Sequence, residues 1–169
     1  MSLSPVSLSP VARFVPLLAL LLALPLHGQA DALRVGISLG GISTIGLVLE
    51  YEDGQGSTEL TIGTWSFRDL STSIVRKQRF GTAQVRPVLG LGLWAIIAFP
   101  PEGRTGAALV IRAPFGAEWD IDSGATNFLT LDLNVNQAIW VRRTDPEDET
   151  PLNRRLVPLP GISYRWRNR

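Results

Sequence analysis

Six side chains could carry chemistry if the fold brought them together: Arg86, Arg112, Glu118, Asp120, Asp132 and Arg165. Carboxylates and guanidiniums on shared faces could form an ion pathway or a paired-carboxylate site. They could equally neutralise one another as a network of ion pairs and hydrogen bonds. Histidine, the most convenient acid or base near neutral pH, occurs once, at His27, inside an apolar N-terminal segment. Cysteine is absent, so neither disulfides nor thiolate sites are available, and only carboxylates remain for a hard cation. The run Asp145-Pro146-Glu147-Asp148-Glu149 could hold calcium or a basic partner, or be a solvated loop. Gly90 and Gly92 alternate with leucines and open no helix, so they do not form a phosphate cradle. No catalytic residue, metal site or cofactor is expected.

Strands must position these six groups. Over Gln84–Phe99, Ala107–Ile121 and Phe128–Val141, apolar residues recur at every second position, the period of a strand with one greasy face. Leu89, Leu91 and Leu93 share one such face, and Arg86, Gly90, Gly92 and Trp94 the other. The second segment sets Arg112, Glu118 and Asp120 opposite Leu109, Ile111 and Phe115. The third sets Asp132, Ala138 and Trp140 opposite Leu131, Leu133 and Ile139. Arg165 lies opposite Ile162, Tyr164 and Trp166 in a last strand over about 161–166.

Before these come Leu33–Leu39 and Thr44–Glu52, read as two strands joined by a loop of about five residues around Gly40-Gly41. The first puts Arg34, Gly36 and Ser38 opposite its apolar face, and the second puts Gly46, Val48, Glu50 and Glu52 there. Thr58–Phe67 has a muddled alternation, which predicts a bulge near Gly63. Asp69–Phe80 is the weakest strand. Turns fall at Asp53–Gly56, Gly81–Ala83, Pro100–Gly106 and Asp122–Ala125, and Thr144–Arg155 is one long loop. The sum is an all-β chain of eight strands in an up-and-down antiparallel meander, which removes its edges by closing into a barrel.

Residues 1–32 read as an export signal: Arg13, the apolar run Phe14–Leu26, then small residues suited to cleavage after Ala30 or Ala32. Residues 33–169 then form one barrel domain. The sequence holds 16 Lys+Arg and 15 Asp+Glu, and cleavage after Ala30, which removes Arg13 and no acid, balances them. A chain without net charge is a poor match for nucleic acid.

Alternation does not say whether the apolar face points into a soluble core or out into lipid. Near-unbroken apolar faces longer than a bilayer crossing requires, and opposite faces mixing glycine with both signs of charge, favour lipid. Arg86–Leu93 (RPVLGLGL), Phe115–Trp119 (FGAEW) and Ile162–Trp166 (ISYRW), together with the export signal, resemble the small eight-stranded outer-membrane β-barrels of diderm bacteria. The resemblance implies a transmembrane β-barrel in the cell outer membrane, in contact with its lipid and inserted by the barrel-assembly machinery. It also implies a lumen filled by the six charged residues and a structural or surface-interaction role without catalysis. Some such barrels deacylate lipid A with a His/Ser pair, and this chain lacks the histidine. The alternative is a secreted or periplasmic lipocalin-like carrier of an apolar ligand. Gly63-Thr64-Trp65 matches the lipocalin Gly-x-Trp at two residues, in the third strand instead of the first.

Overall fold

The computed structural model describes residues 32–54, 56–145, 147–148 and 155–167. Of the export segment it therefore includes only Ala32, which is the first residue of a strand, paired with Glu52. The strands are β1 (Ala32–Gly40), β2 (Ser43–Asp53), β3 (Gly56–Thr64), β4 (Asp69–Arg79), β5 (Val85–Ala98), β6 (Gly106–Asp120), β7 (Asn127–Arg142) and β8 (Val157–Arg167). Each pairs antiparallel with the next and β8 pairs with β1, closing an eight-stranded up-and-down barrel. Register followed once round from Arg34, through Glu50, Glu59, Val75, Gly92, Arg112, Asn136 and Val157, returns to the level of position 44, a stagger of ten residues. Such stagger tilts strands to the barrel axis and wraps charged positions of distant strands around one level.

Two hairpin features depart from the sequence reading. The β1–β2 connection is two residues, Gly41 and Ile42, instead of five. Gly40 and Gly41 both take φ of 72°, the left-handed backbone that lets strands reverse this tightly. No bulge occurs near Gly63, since β3 pairs without a shift from Gly56 to Thr64. Its muddled pattern arises because Trp65 and Phe67 belong to the following turn, where Asp69 accepts the backbone N–H groups of Trp65 and Ser66 at 2.8 and 3.0 Å.

The strand irregularities lie between Leu39 and Gly40 and between Leu109 and Val110. At the second, Leu109 faces Trp140 while Val110 faces Ala138, so Ile139 is the extra residue. That insertion turns Trp140 onto the outward face with Leu109, whereas simple parity put it on the lumen face beside Trp94.

The last strand starts four residues earlier than expected, and its first half contains Pro158 and Pro160. They are tolerated because β1 pairs with β8 only as far as Gly161, leaving 157–160 in strand pairing with β7 alone, and the Pro160 carbonyl accepts the Gly41 N–H at 2.7 Å on the other side. An edge does not need the missing N–H.

The lumen is too tight for a uniform wall. A Cβ on Gly116 would lie 2.0 Å from the Leu131 carbonyl oxygen and 2.7 Å from the Asp132 Cα. Both are neighbouring backbone that cannot swing aside. Gly116→Val should therefore destabilise the barrel by about 3 kcal/mol or more. Gly54→Ala, strained at φ 59° but in open space, should cost about 1 kcal/mol. Denaturant unfolding of both refolded variants checks the order, and equal losses would overturn it.

Candidate functional site: a charged lumen

The lumen has two halves. Toward the end where β1 starts and β8 finishes, here the near end, charge dominates. Toward the other end, the far end, the packing is apolar.

At the near end Glu118 of β6 sits at a convergence of guanidiniums. Its carboxylate lies 3.1 Å from Arg34 of β1, 2.8 Å from Arg79 of β4, 3.1 Å from Arg86 of β5 and 3.3 Å from Arg165 of β8. Glu50 of β2 meets Arg79 at 2.7 Å, Arg165 at 3.4 Å and Arg34 at 3.5 Å, and accepts the Ser57 hydroxyl at 2.5 Å. Glu59 of β3 lies 2.5 Å from Lys77 and 2.6 Å from Arg165, with Arg112 at 3.7 Å. Glu52 takes Arg34 at 2.5 Å and Arg79 at 3.2 Å, and also pairs with Arg167. These four glutamates and the cations Arg34, Lys77, Arg79, Arg112 and Arg165 all have side chains less than a tenth exposed. Burial of that many charges is sustainable only because every one has an opposite charge beside it, and the four glutamates each have three or more. The fully buried Phe128 ring, with the Arg34 guanidinium carbon 3.3 Å from its centroid, completes this end through a cation–π contact.

The six residues read from the sequence do not fall into one cluster. Glu118, Arg165 and Arg86 belong to the convergence just described, and Arg86 carries Asp120 with it at 2.5 Å. Arg112 stands farther along the lumen, donating to Asn134 at 2.6 Å and to Ser73 at 2.7 Å. Asp132 accepts a hydrogen bond from Asn134 and makes no ion pair among the described residues. The sequence reading passed over Arg34, Glu50, Glu52, Glu59, Lys77 and Arg79, which carry most of the pairing. Parity already set Arg34, Glu50 and Glu52 against the apolar side. In β4, outward Arg76 and Gln78 alternate with inward Lys77 and Arg79, so no parity there looks apolar and only pairing to β3 and β5 resolves the faces.

At the far end Ile42, Trp94 and Val110 pack together with Ile96, Ala108, Ala138 and Leu159. Ser71 fixes this plug, donating its hydroxyl to the Ile42 carbonyl and accepting the Trp94 indole N–H, both at 2.7 Å. Between plug and charges, a cavity lined by Ser38, Ile42, Glu59 and Arg112 measures about 10 Å³, at the lower limit for one water. The described residues hold no group of three or more His, Cys, Asp or Glu suited to a metal. Asp145, Glu147 and Asp148 of the acidic loop are described, with Asp148 paired to Arg143 at 2.5 Å; Pro146 and Glu149 lie outside the described residues.

The outer surface is the reverse of the lumen. Leu47, Leu91 and Leu131 are 64, 62 and 57 % exposed, with Leu39, Leu49, Leu89 and Ile97 also outward. Aromatic residues gather at both rims: Tyr51, Trp119, Tyr164 and Trp166 at the near end, Trp65, Phe67 and Phe99 at the far end. Comparison with family models, curated proteins and solved structures finds no match to this chain.

Unequal sharing within the network sets a test. Glu59→Gln strips a partner from Lys77, Arg165 and Arg112 together and should cost about 3–5 kcal/mol. Lys77→Met leaves Glu59 two guanidiniums and should cost less than half of that. In the double variant the losses should fall short of additive, because the same contact is removed twice. Denaturant unfolding measures all three, and a costlier Lys77→Met would reverse the assignment of Glu59 as the hub.

Proposed function

We propose that the chain is a non-enzymatic β-barrel of the bacterial outer membrane, with a side-chain-filled lumen and a structural or surface-interaction role. One observation carries this reading: the barrel is polar inside and apolar outside. A soluble protein that exposed this continuous apolar belt would aggregate, while lipid would cover it. The rims of Trp, Tyr and Phe suit the two interfaces of a bilayer. The shortest strands, β1 and β3, are nine residues long, the length a tilted strand needs to cross.

In this placement the near end faces the periplasm. The longer β5–β6 and β7–β8 connections face outward with the two shorter far-end turns, and these loops are where a partner would be met. The charged half and the apolar plug close the lumen in series, so the barrel carries no steady ion current. A lipocalin-like carrier would need an apolar lumen with room for its ligand. Here ion pairs and a far-end plug occupy that space.

Electrophoresis of an outer-membrane fraction, with and without boiling in SDS, is the direct test: a folded barrel runs at a different mobility from the heated chain. Leu91→Arg should weaken assembly by about 2–4 kcal/mol near the midplane. A protein found soluble, with no heat shift and a Leu91→Arg variant of unchanged stability, would sink the membrane reading.

A further inference from the structure

The β7 bulge turns Trp140 outward. Beside it lies a groove of about 220 Å³ on the barrel wall near the far end, bounded by Ile96 and Ala108 and, on its open side, by Ala95 and Ile97 of β5, Ala107 and Leu109 of β6, and Trp140 of β7. The last five are outward-facing: Ala95 faces Leu109, Ile97 faces Ala107, and Leu109 faces Trp140. Two alanines keep the floor low and the indole forms one wall.

Arg142 continues the outward line of Trp140 across the rim, paired in register with Ala107. The backbone N–H of Arg104, in the β5–β6 connection, donates to the Thr144 carbonyl at 3.2 Å. That bond ties Arg104, three residues before Ala107, to the chain just beyond Arg142. Both are exposed. Neither makes an ion pair among the described residues, unlike nearby Arg143 with its Asp148 partner.

We propose that this groove binds one anionic lipid of the outer leaflet, its acyl chain lying along Trp140 and its phosphate held by Arg142 and Arg104. The inference rests on the membrane reading and deepens it: most of the wall meets lipid without distinction, whereas this site selects for charge. An apolar slot with two arginines at the adjoining rim, neither ion-paired among the described residues, complements a molecule with an acyl tail beside a phosphate. A second copy of the chain would bring the same arginines against each other.

The test uses the full barrel refolded into phosphatidylcholine vesicles holding phosphatidylglycerol or phosphatidylcholine with brominated acyl chains, which quench nearby tryptophan. The difference between the native protein and Trp140→Phe isolates the Trp140 signal. Brominated phosphatidylglycerol should quench it at about one-fifth the mole fraction needed with brominated phosphatidylcholine, as an arginine near a negative headgroup contributes. Arg104→Gln combined with Arg142→Gln should erase that preference while both lipids still quench. Equal quenching by both lipids in the native protein would overturn the proposal, as would a preference that survives the double substitution. Trp140 left unquenched while Trp119 and Trp166 are quenched would also overturn it, and a doubled native mass in that case would identify a second copy as the occupant. If no tryptophan is quenched and the protein shows no heat shift, the membrane reading itself fails.

Discussion

Four glutamates in a space almost without room for water set the terms for the rest of this barrel. Glu50, Glu52, Glu59 and Glu118 cannot stay ionised there unless guanidiniums and an ammonium surround them from several strands. Closure of the sheet supplies that surround. Stagger brings Arg34 of β1 and Arg165 of β8 to the level of a carboxylate on β6, a contact no isolated hairpin could make. Gly92 of β5 and Gly116 of β6, both inward, are held to glycine for a related reason, since neighbouring backbone fills the place where their side chains would be.

Much of this was legible in the sequence, because the period of a strand is read without knowing the fold. Eight strands, their meander and the separation of charged from apolar faces all follow from alternation and turn residues. The misreadings arise where a strand ends, turns or takes in an extra residue. Ile139, inserted without an opposite partner, reverses the parity of Trp140, and nothing in the local composition marks it. Pro158 and Pro160 look like a break in a strand until β1 is seen to end beside Gly161.

The charge network was legible only in part for another reason. A long apolar face advertises its opposite face, so Arg112, Glu118 and Asp132 stood out. Lys77 and Arg79 sit in a strand whose outward face includes Arg76 and Gln78, and Glu59 in one whose pattern runs into an aromatic turn. The identity of their partners depends on which strands the barrel sets across from each other, a property of closure that no single strand encodes.

Arg165 lies in the final strand yet serves Glu50, Glu59 and Glu118, on the second, third and sixth. A chain emerging from its N-terminus accumulates carboxylates well before that guanidinium arrives. No partial barrel can settle by closing early on itself: without β8 these three acids lose a common counter-ion, and the sheet keeps two open edges. Completion of the barrel is thereby coupled to the arrival of β8. A barrel lacking β8 would hold Glu50, Glu59 and Glu118 in an interior short of positive charge, so the eighth strand contributes neutralisation as well as closure.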